Sequence, residues 1–258
     1  MSADGTPSPQ LFPTGGIVER HAPVGDERTM WTPADFYFDR WEDDFKGDSL
    51  DVKYPNAKTN GTSAAVTFTE HNLHGFLDFI TGTDNAGYAG QGIGLQWSGD
   101  RGLLFEFLFT TPSSLADFKL EVGIADADDA AGMVNSKSGV TGTGTDYAVL
   151  IYDTADDSNT QLIHAKDGTD AAVSNTDFVL AVSTTYYVTL SAEDDNVRAT
   201  IQGVAGTPTA QFEFANATAD AGIQGGTPVT PWFFTQARAG SASKTTPLLT
   251  WGAQEPRW

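Results

Sequence analysis

Hydrophobic and polar residues alternate with a period of two along most of the chain. The clearest stretch is 102–128, GLLFEFLFTTPSSLADFKLEVGIADAD. Leu103, Phe105, Phe107 and Phe109 alternate with Leu104, Glu106 and Leu108. After Pro112, Phe118, Leu120, Val122 and Ile124 alternate with Lys119, Glu121, Gly123 and Ala125. Successive side chains of a strand point to opposite faces, so both runs predict strands with at least one buried face. The same pattern predicts strands at 66–69 and 76–80, flanking a turn that holds His71 and His74, and at 93–97. Residues 146–153 and 161–165 form a hairpin across an Asp-Asp-Ser-Asn turn, and a strand at 177–182 follows. The clearest hairpin joins 186–192 to 197–202, with Val197, Ala199 and Ile201 on one side of its second half. Short strands at 211–214, 231–238 and 246–251 close the pattern. No segment keeps a 3.6-residue period over three turns, and turn signals recur about every 8–12 residues, which predicts an all-β sandwich or barrel. Between 125 and 146 the chain is small, polar and glycine-rich, and reads as a large surface loop.

Residues 1–40 break this pattern. Pro7, Pro9, Pro13, Pro23 and Pro33 punctuate them, so they read as an extended arm rather than part of a sheet. Yet the arm carries Leu11, Phe12, Ile17, Val18, Met30, Trp31, Phe36, Tyr37 and Phe38, too many large apolar groups for a freely solvated tail. The predicted organisation is an arm at 1–40 and a sandwich at 41–258 that ends in a short tail. In that tail Pro256-Arg-Trp258 has nowhere obvious to fold inward. The arm is therefore expected to lie either on its own sandwich or on a neighbouring subunit, and Trp258 to be either an anchor or a frayed end. For contact with a neighbour the candidate partner-binding residues are Leu11, Phe12, Trp31, Phe36 and Phe38 of the arm and Trp258 of the tail.

Charge narrows the partners. With 34 acidic and 14 basic residues the formal net charge is −20, and the basic residues stand singly. Such a chain repels nucleic acid and anionic membranes, so neither is an expected partner. There is no cysteine, hence no disulfide or thiolate metal site, and the four histidines are scattered. The first residues lack a basic and then apolar leader, and no stretch approaches a membrane span; the expectation is synthesis in a host cytoplasm.

The order of the 102–128 strands, the two hairpins and the final pair 232–238 and 248–251 resembles the concanavalin A-like, or laminin-G-like, jelly roll. The resemblance implies a two-sheet antiparallel sandwich whose last strands return beside its beginning. With the arm, and without a leader or cysteine, the chain also resembles the concanavalin-like structural proteins of tailed bacteriophage particles. That implies a non-enzymatic virion protein, a capsid decoration or cement component that binds capsid proteins or sister subunits as a homo-oligomer. The alternative is a lectin-like, carbohydrate-binding module on a phage fibre or spike, with a glycan as partner.

Candidate chemistry is sparse. Glycosidases of this fold carry a Glu-x-Asp-x-x-Glu strand that lines up carboxylates on one sheet face. Here Glu121 is followed by Gly123 instead of Asp, and Asp126 falls out of register, so Glu121 reads as a solvent-face residue and no catalytic residue is assigned. Asp126, Asp128 and Asp129, and Asp153, Asp156 and Asp157, form two acidic loops of the kind that hold calcium in lectin-like sandwiches, but the ordered Asp-x-Asp-x-Asp-Gly loop is missing. No cofactor is expected, calcium being the one candidate. His71 and His74, read as three apart on one strand, point to opposite faces and are not a ligand pair.

Overall fold

The computed structural model describes residues 38–43, 45, 57–71, 74–94, 97–98, 102–127, 131–138, 140–175, 178–193, 196–204, 212–215, 222–240 and 242–256. In chain order the strands are β1 (Phe38–Asp43), β2 (Lys58–Asn60), β3 (Ala65–His71), β4 (His74–Ile80), β5 (Tyr88–Gln91) and β6 (Trp97–Ser98). Then come β7 (Leu103–Thr110), β8 (Phe118–Ala125), β9 (Val134–Ser136), β10 (Thr141–Gly142), β11 (Tyr147–Asp153) and β12 (Asp157–Lys166). The last are β13 (Thr169–Asn175), β14 (Thr185–Glu193), β15 (Asn196–Gly203), β16 (Phe212–Ala215), β17 (Pro228–Ala237) and β18 (Thr245–Pro256).

Two large antiparallel sheets make a sandwich. Sheet A runs β16-β15-β14-β7-β18-β4-β3, with β1 beside β18; sheet B runs β13-β12-β11-β8-β17-β5-β2, with β6 beside β17. The expected all-β, two-sheet jelly roll is what the chain forms. The two runs at the centre of the sequence pattern, β7 and β8, lie at the centres of opposite sheets and do not pair with each other. Their alternating residues meet across the gap: Phe105, Phe107 and Phe109 from β7, Phe118, Leu120, Val122 and Ile124 from β8, and Phe79, Phe233 and Trp251 all belong to one core. Phe79 and Phe233 approach to 4.6 Å between ring centroids, one from each sheet. Each fully buried side chain of this size contributes roughly 1.5–3 kcal/mol relative to exposure, so this layer dominates the fold's stability.

Three sequence expectations change. His71 and His74 are not successive on one strand; they are register partners across the β3–β4 hairpin. The strand expected at 93–97 is replaced by β5 earlier and the two-residue β6. The strand expected at 177–182 is β13 instead. Phe178 and Leu180 are buried while Val179 and Val182 are about half exposed, at 49% and 50%, so the alternation is real, but this chain crosses an end of the sandwich without joining a sheet.

β18 pairs with β4 through its first residues and with β1 through its last, in the register Phe38↔Pro256 to Asp43↔Trp251. The first described strand thus lies beside the last. β1 spans the position, 40/41, at which the arm was expected to give way to the sandwich.

Candidate functional site

The chemistry gathers on the outer face of sheet B, away from the core. Alternation puts Lys119, Glu121, Gly123 and Ala125 of β8 there, flanked in register by Tyr147, Val149, Ile151 and Asp153 of β11 and by Thr230, Trp232, Phe234 and Gln236 of β17. Gly123 lets β8 and β11 lie flush, since a Cβ at that position would stand 2.0 Å from the Ala148 carbonyl oxygen.

This face is not open to solvent. The described residues of the segment 131–143 fold back over it, and Met133 and Val134 form a second apolar cluster with Tyr147, Val149, Ile151, Ile163, Trp232 and Phe234. Every residue of β8 and β11 is consequently buried. The segment lies close because position 132 is glycine: its φ is +99°, and a Cβ would press within 3.1 Å of Lys119 Nζ and 3.2 Å of Glu121 Oε1. Val140, in the same segment, holds φ at +46°, a conformation β-branched residues rarely adopt.

Glu121 is therefore on the face that alternation assigned but not in solvent: it is 0% exposed. Lys119 Nζ lies 2.7 Å from its Oε1. The backbone amides of Met133 and Val134 donate to its two oxygens at 2.7 and 3.0 Å, and the Trp232 indole N–H donates at 3.0 Å. Lys119 also donates to the Val134 carbonyl at 2.5 Å and sits 5.2 Å from the centroid of the Phe234 ring. A carboxylate with this set of donors is a structural anchor. It has no second carboxylate beside it on β8, and Met133 and Val134 of the segment above pack over this face.

The second acidic loop is also engaged. Asp153, fully buried, accepts a two-pronged bond from Arg238, at 2.8 Å from Nε and with Nη2 on its other oxygen. That carboxylate raises the guanidinium pKa further. Asp156 accepts from the amides of Lys137 and Ser138 at 2.7 and 3.1 Å and from the Ser138 hydroxyl at 2.9 Å. Asp157 pairs with Lys137, whose ammonium is sealed at 1% exposure and also donates to the Asn159 carbonyl at 2.7 Å. Burial alone would raise Asp156 and Asp157, but these donors and the Lys137 charge outweigh it and hold both below the ordinary carboxylate range.

At the far end of the segment, Asp126 accepts from the Thr145 amide and hydroxyl and the Asp146 amide through one oxygen. Asp170 accepts from the Gly142 amide at 3.0 Å and the Tyr147 hydroxyl at 2.6 Å. Burial and that neighbouring carboxylate push the Tyr147 hydroxyl far above the usual tyrosine range. Asp128 and Asp129 lie outside the described residues. Among the described residues no group of three His, Cys, Asp or Glu side chains is arranged to hold a metal ion.

Of the candidate partner-binding residues, Leu11, Phe12, Trp31, Phe36 and Trp258 lie outside the described residues. Phe38 opens β1 and pairs in register with Pro256 of β18. The sequence placed Lys119 only by alternation and assigned Lys137, Met133 and Val134 no role. Met133-Val134, the paired apolar residues of an otherwise polar stretch, were the available signal.

No protein-family model matches the chain, and no curated protein matches it in sequence. Solved structures do. A protein of unknown function from Shewanella oneidensis MR-1 is 17% identical and aligns over 95% of this chain and 97% of its own, with a TM-score of 0.58. Basic winged bean lectin, solved with Tn-antigen, is 9% identical over 86% of this chain and 100% of its own, at 0.56. The CBM2 module of an evolved Dit from Lactobacillus casei BL23 phage J-1 is 10% identical over 86% of this chain and 99% of its own, at 0.52. Identities this low speak for fold and not for function. The chain has the concanavalin A-like jelly-roll fold, shared with legume lectins and with the CBM2 module of a phage Dit.

Proposed function

We propose that the protein is a non-enzymatic structural component of a virus particle, a capsid decoration or cement protein. It would be made in the host cytoplasm and join shell or sister subunits through its arm and tail. The observation that carries this reading is the closed outer face of sheet B. Where a glycosidase of this fold would work, Glu121 is sealed and spends both oxygens on protein donors. The pairing of Phe38 with Pro256 supports assigning residues from both chain ends to one contact, since the first and last described strands run side by side. Leu11, Phe12, Trp31, Phe36, Phe38 and Trp258 are the residues assigned to that contact. The phage origin of one structural neighbour agrees with the setting.

A second reading, a lectin-like module on a phage fibre or spike, draws on the lectins and the CBM2 module among the neighbours. On that reading the glycan would be held by loops at the rim, since Trp232 and Phe234 are covered.

Co-purification with an assembled particle at fixed stoichiometry is the outcome expected of the first reading. Glycan-array binding by the isolated protein at micromolar strength, without particle association, would replace it with the second. Neither reading allows catalysis: turnover of a β-glucan that disappears in Glu121→Gln would overturn both.

A further inference from the structure

Residues 131–143 cross the outer face of sheet B without becoming one of its strands. Their described backbone-to-backbone bonds stay within the segment: β9 pairs with β10, Thr143 N donates to Met133 O at 2.8 Å, and Val140 N donates to Lys137 O at 3.3 Å. Met133 and Val134 pack on the apolar strip of the sheet, and the hydrogen bonds that tie the segment to the sandwich are of another kind. Every described hydrogen bond between the two has an ionisable side chain at one end. Glu121 takes the amides of Met133 and Val134. Lys119 reaches the Val134 carbonyl. Asp156 takes the amides of Lys137 and Ser138. Lys137 reaches Asp157 and the Asn159 carbonyl. Asp170 takes the Gly142 amide.

From this we infer that residues 131–143 are an acid-released cover. At low pH the segment leaves the sheet as one unit, while the sandwich stays folded, and bares the apolar strip of Val149, Ile151, Ile163, Trp232 and Phe234.

The physics runs in one direction. A carboxylate that protonates loses its charge-assisted hold on the amides above it. Protonation of Asp157 also leaves Lys137 as a buried ammonium without its counter-charge, which favours opening. Asp156 and Asp157 have folded pKa values below the ordinary one, so their contribution is complete above that value and disappears as pH falls through the lowered one. The window lies below about pH 4.

The charged surroundings do not reverse this. Glu121 faces Lys119, with Tyr147 and Arg238 the further ionisable groups that feel its charge. Asp156 and Asp157 face each other and Lys137, and Asp156 also acts at longer range on Arg238. Asp170 faces Tyr147 and His164, and burial lowers the His164 pKa. Strands β7 and β14, by contrast, are joined by a backbone ladder that does not titrate.

Hydrogen–deuterium exchange on the full chain from pH 7 to pH 3, corrected for intrinsic rates, tests the proposal. Amides of 131–143 should lose protection together, by at least ten-fold, at a pH where 103–110 and 185–193 keep theirs; a dye for apolar surface should bind at the same pH. Loss of protection in both regions at one pH overturns the proposal, as does a cover that stays protected while the core opens. The double variant Asp156→Asn, Asp170→Asn removes two charges at the rim of the sheet. It should lower protection of 131–143 several-fold at pH 7 and leave 103–110 unchanged; unaltered protection of the segment also refutes the proposal.

Discussion

Glu121→Gln is the most informative single substitution. The side chain keeps its shape and loses its charge. In the native protein the two carboxylate oxygens serve four donors: Lys119 at 2.7 Å, the Met133 amide at 2.7 Å, the Val134 amide at 3.0 Å and the Trp232 indole at 3.0 Å. A glutamine offers one accepting oxygen. Its NH2 must face two of those donors, and each buried donor left unmatched costs about 1–3 kcal/mol. Lys119, 2% exposed, keeps the Val134 carbonyl but loses its counter-charge. Removing one partner of a buried pair typically costs about 3–5 kcal/mol, and because these terms share one network they do not simply add. The expected loss is therefore about 3–5 kcal/mol, which for a chain of this length lowers Tm by roughly 6–20 °C. Lys119→Met should cost less, because Glu121 keeps three donors. Urea denaturation of the two variants gives both numbers. A loss under about 1 kcal/mol in Glu121→Gln, or a larger loss in Lys119→Met, would show that the carboxylate is not the anchor of the covering segment.

Two further predictions concern packing and attachment. Gly123→Val should give insoluble or strongly destabilised protein, because its Cβ would meet the Ala148 carbonyl oxygen at 2.0 Å and the Val149 Cα at 2.7 Å, both backbone atoms that cannot move without parting β8 from β11; soluble yield and Tm measure this. Deletion of residues 1–37, ending before β1 so that the Phe38↔Pro256 pairing survives, should leave Tm within a few degrees of the full chain and abolish particle attachment. Full occupancy of the truncated protein on particles would move the attachment surface to the sandwich.

The sheets were legible in the sequence because large apolar residues recur at every second position. β7, β14 and β15 have the alternation and the boundaries, within a residue or two, that Leu103–Phe109 and the 186–202 hairpin announced. β13 was not legible. Its sequence, TDAAVSN, has only one large apolar residue, and the neighbouring Phe178 and Leu180 offered a stronger period-two signal. Those two residues are buried from an irregular crossing at the end of the sandwich, where packing and not a ladder sets the alternation. Period says which positions point the same way; it does not say whether hydrogen-bonding neighbours exist.

The Glu121 site failed for a related reason. Alternation gave its face correctly, and solvent was then assumed to lie on that face. What covers the face comes from 131–143, a stretch so small and polar that only Met133, Val134 and Val140 mark it as anything but a loop. The cover also alters what the composition means. Lys119, Lys137 and Arg238 are committed to Glu121, Asp157 and Asp153, so these pairs cancel internally. The rest of the chain then carries the whole net charge of −20 with fewer cations to offset it. Sandwich faces of two copies repel one another on these terms. Contacts between copies, or with an acidic shell, are therefore easiest through segments that are apolar and extend away from the sandwich. Leu11, Phe12, Trp31, Phe36 and Trp258, the large apolar residues that the proposed function assigns to such contacts, are the ones whose replacement tests this.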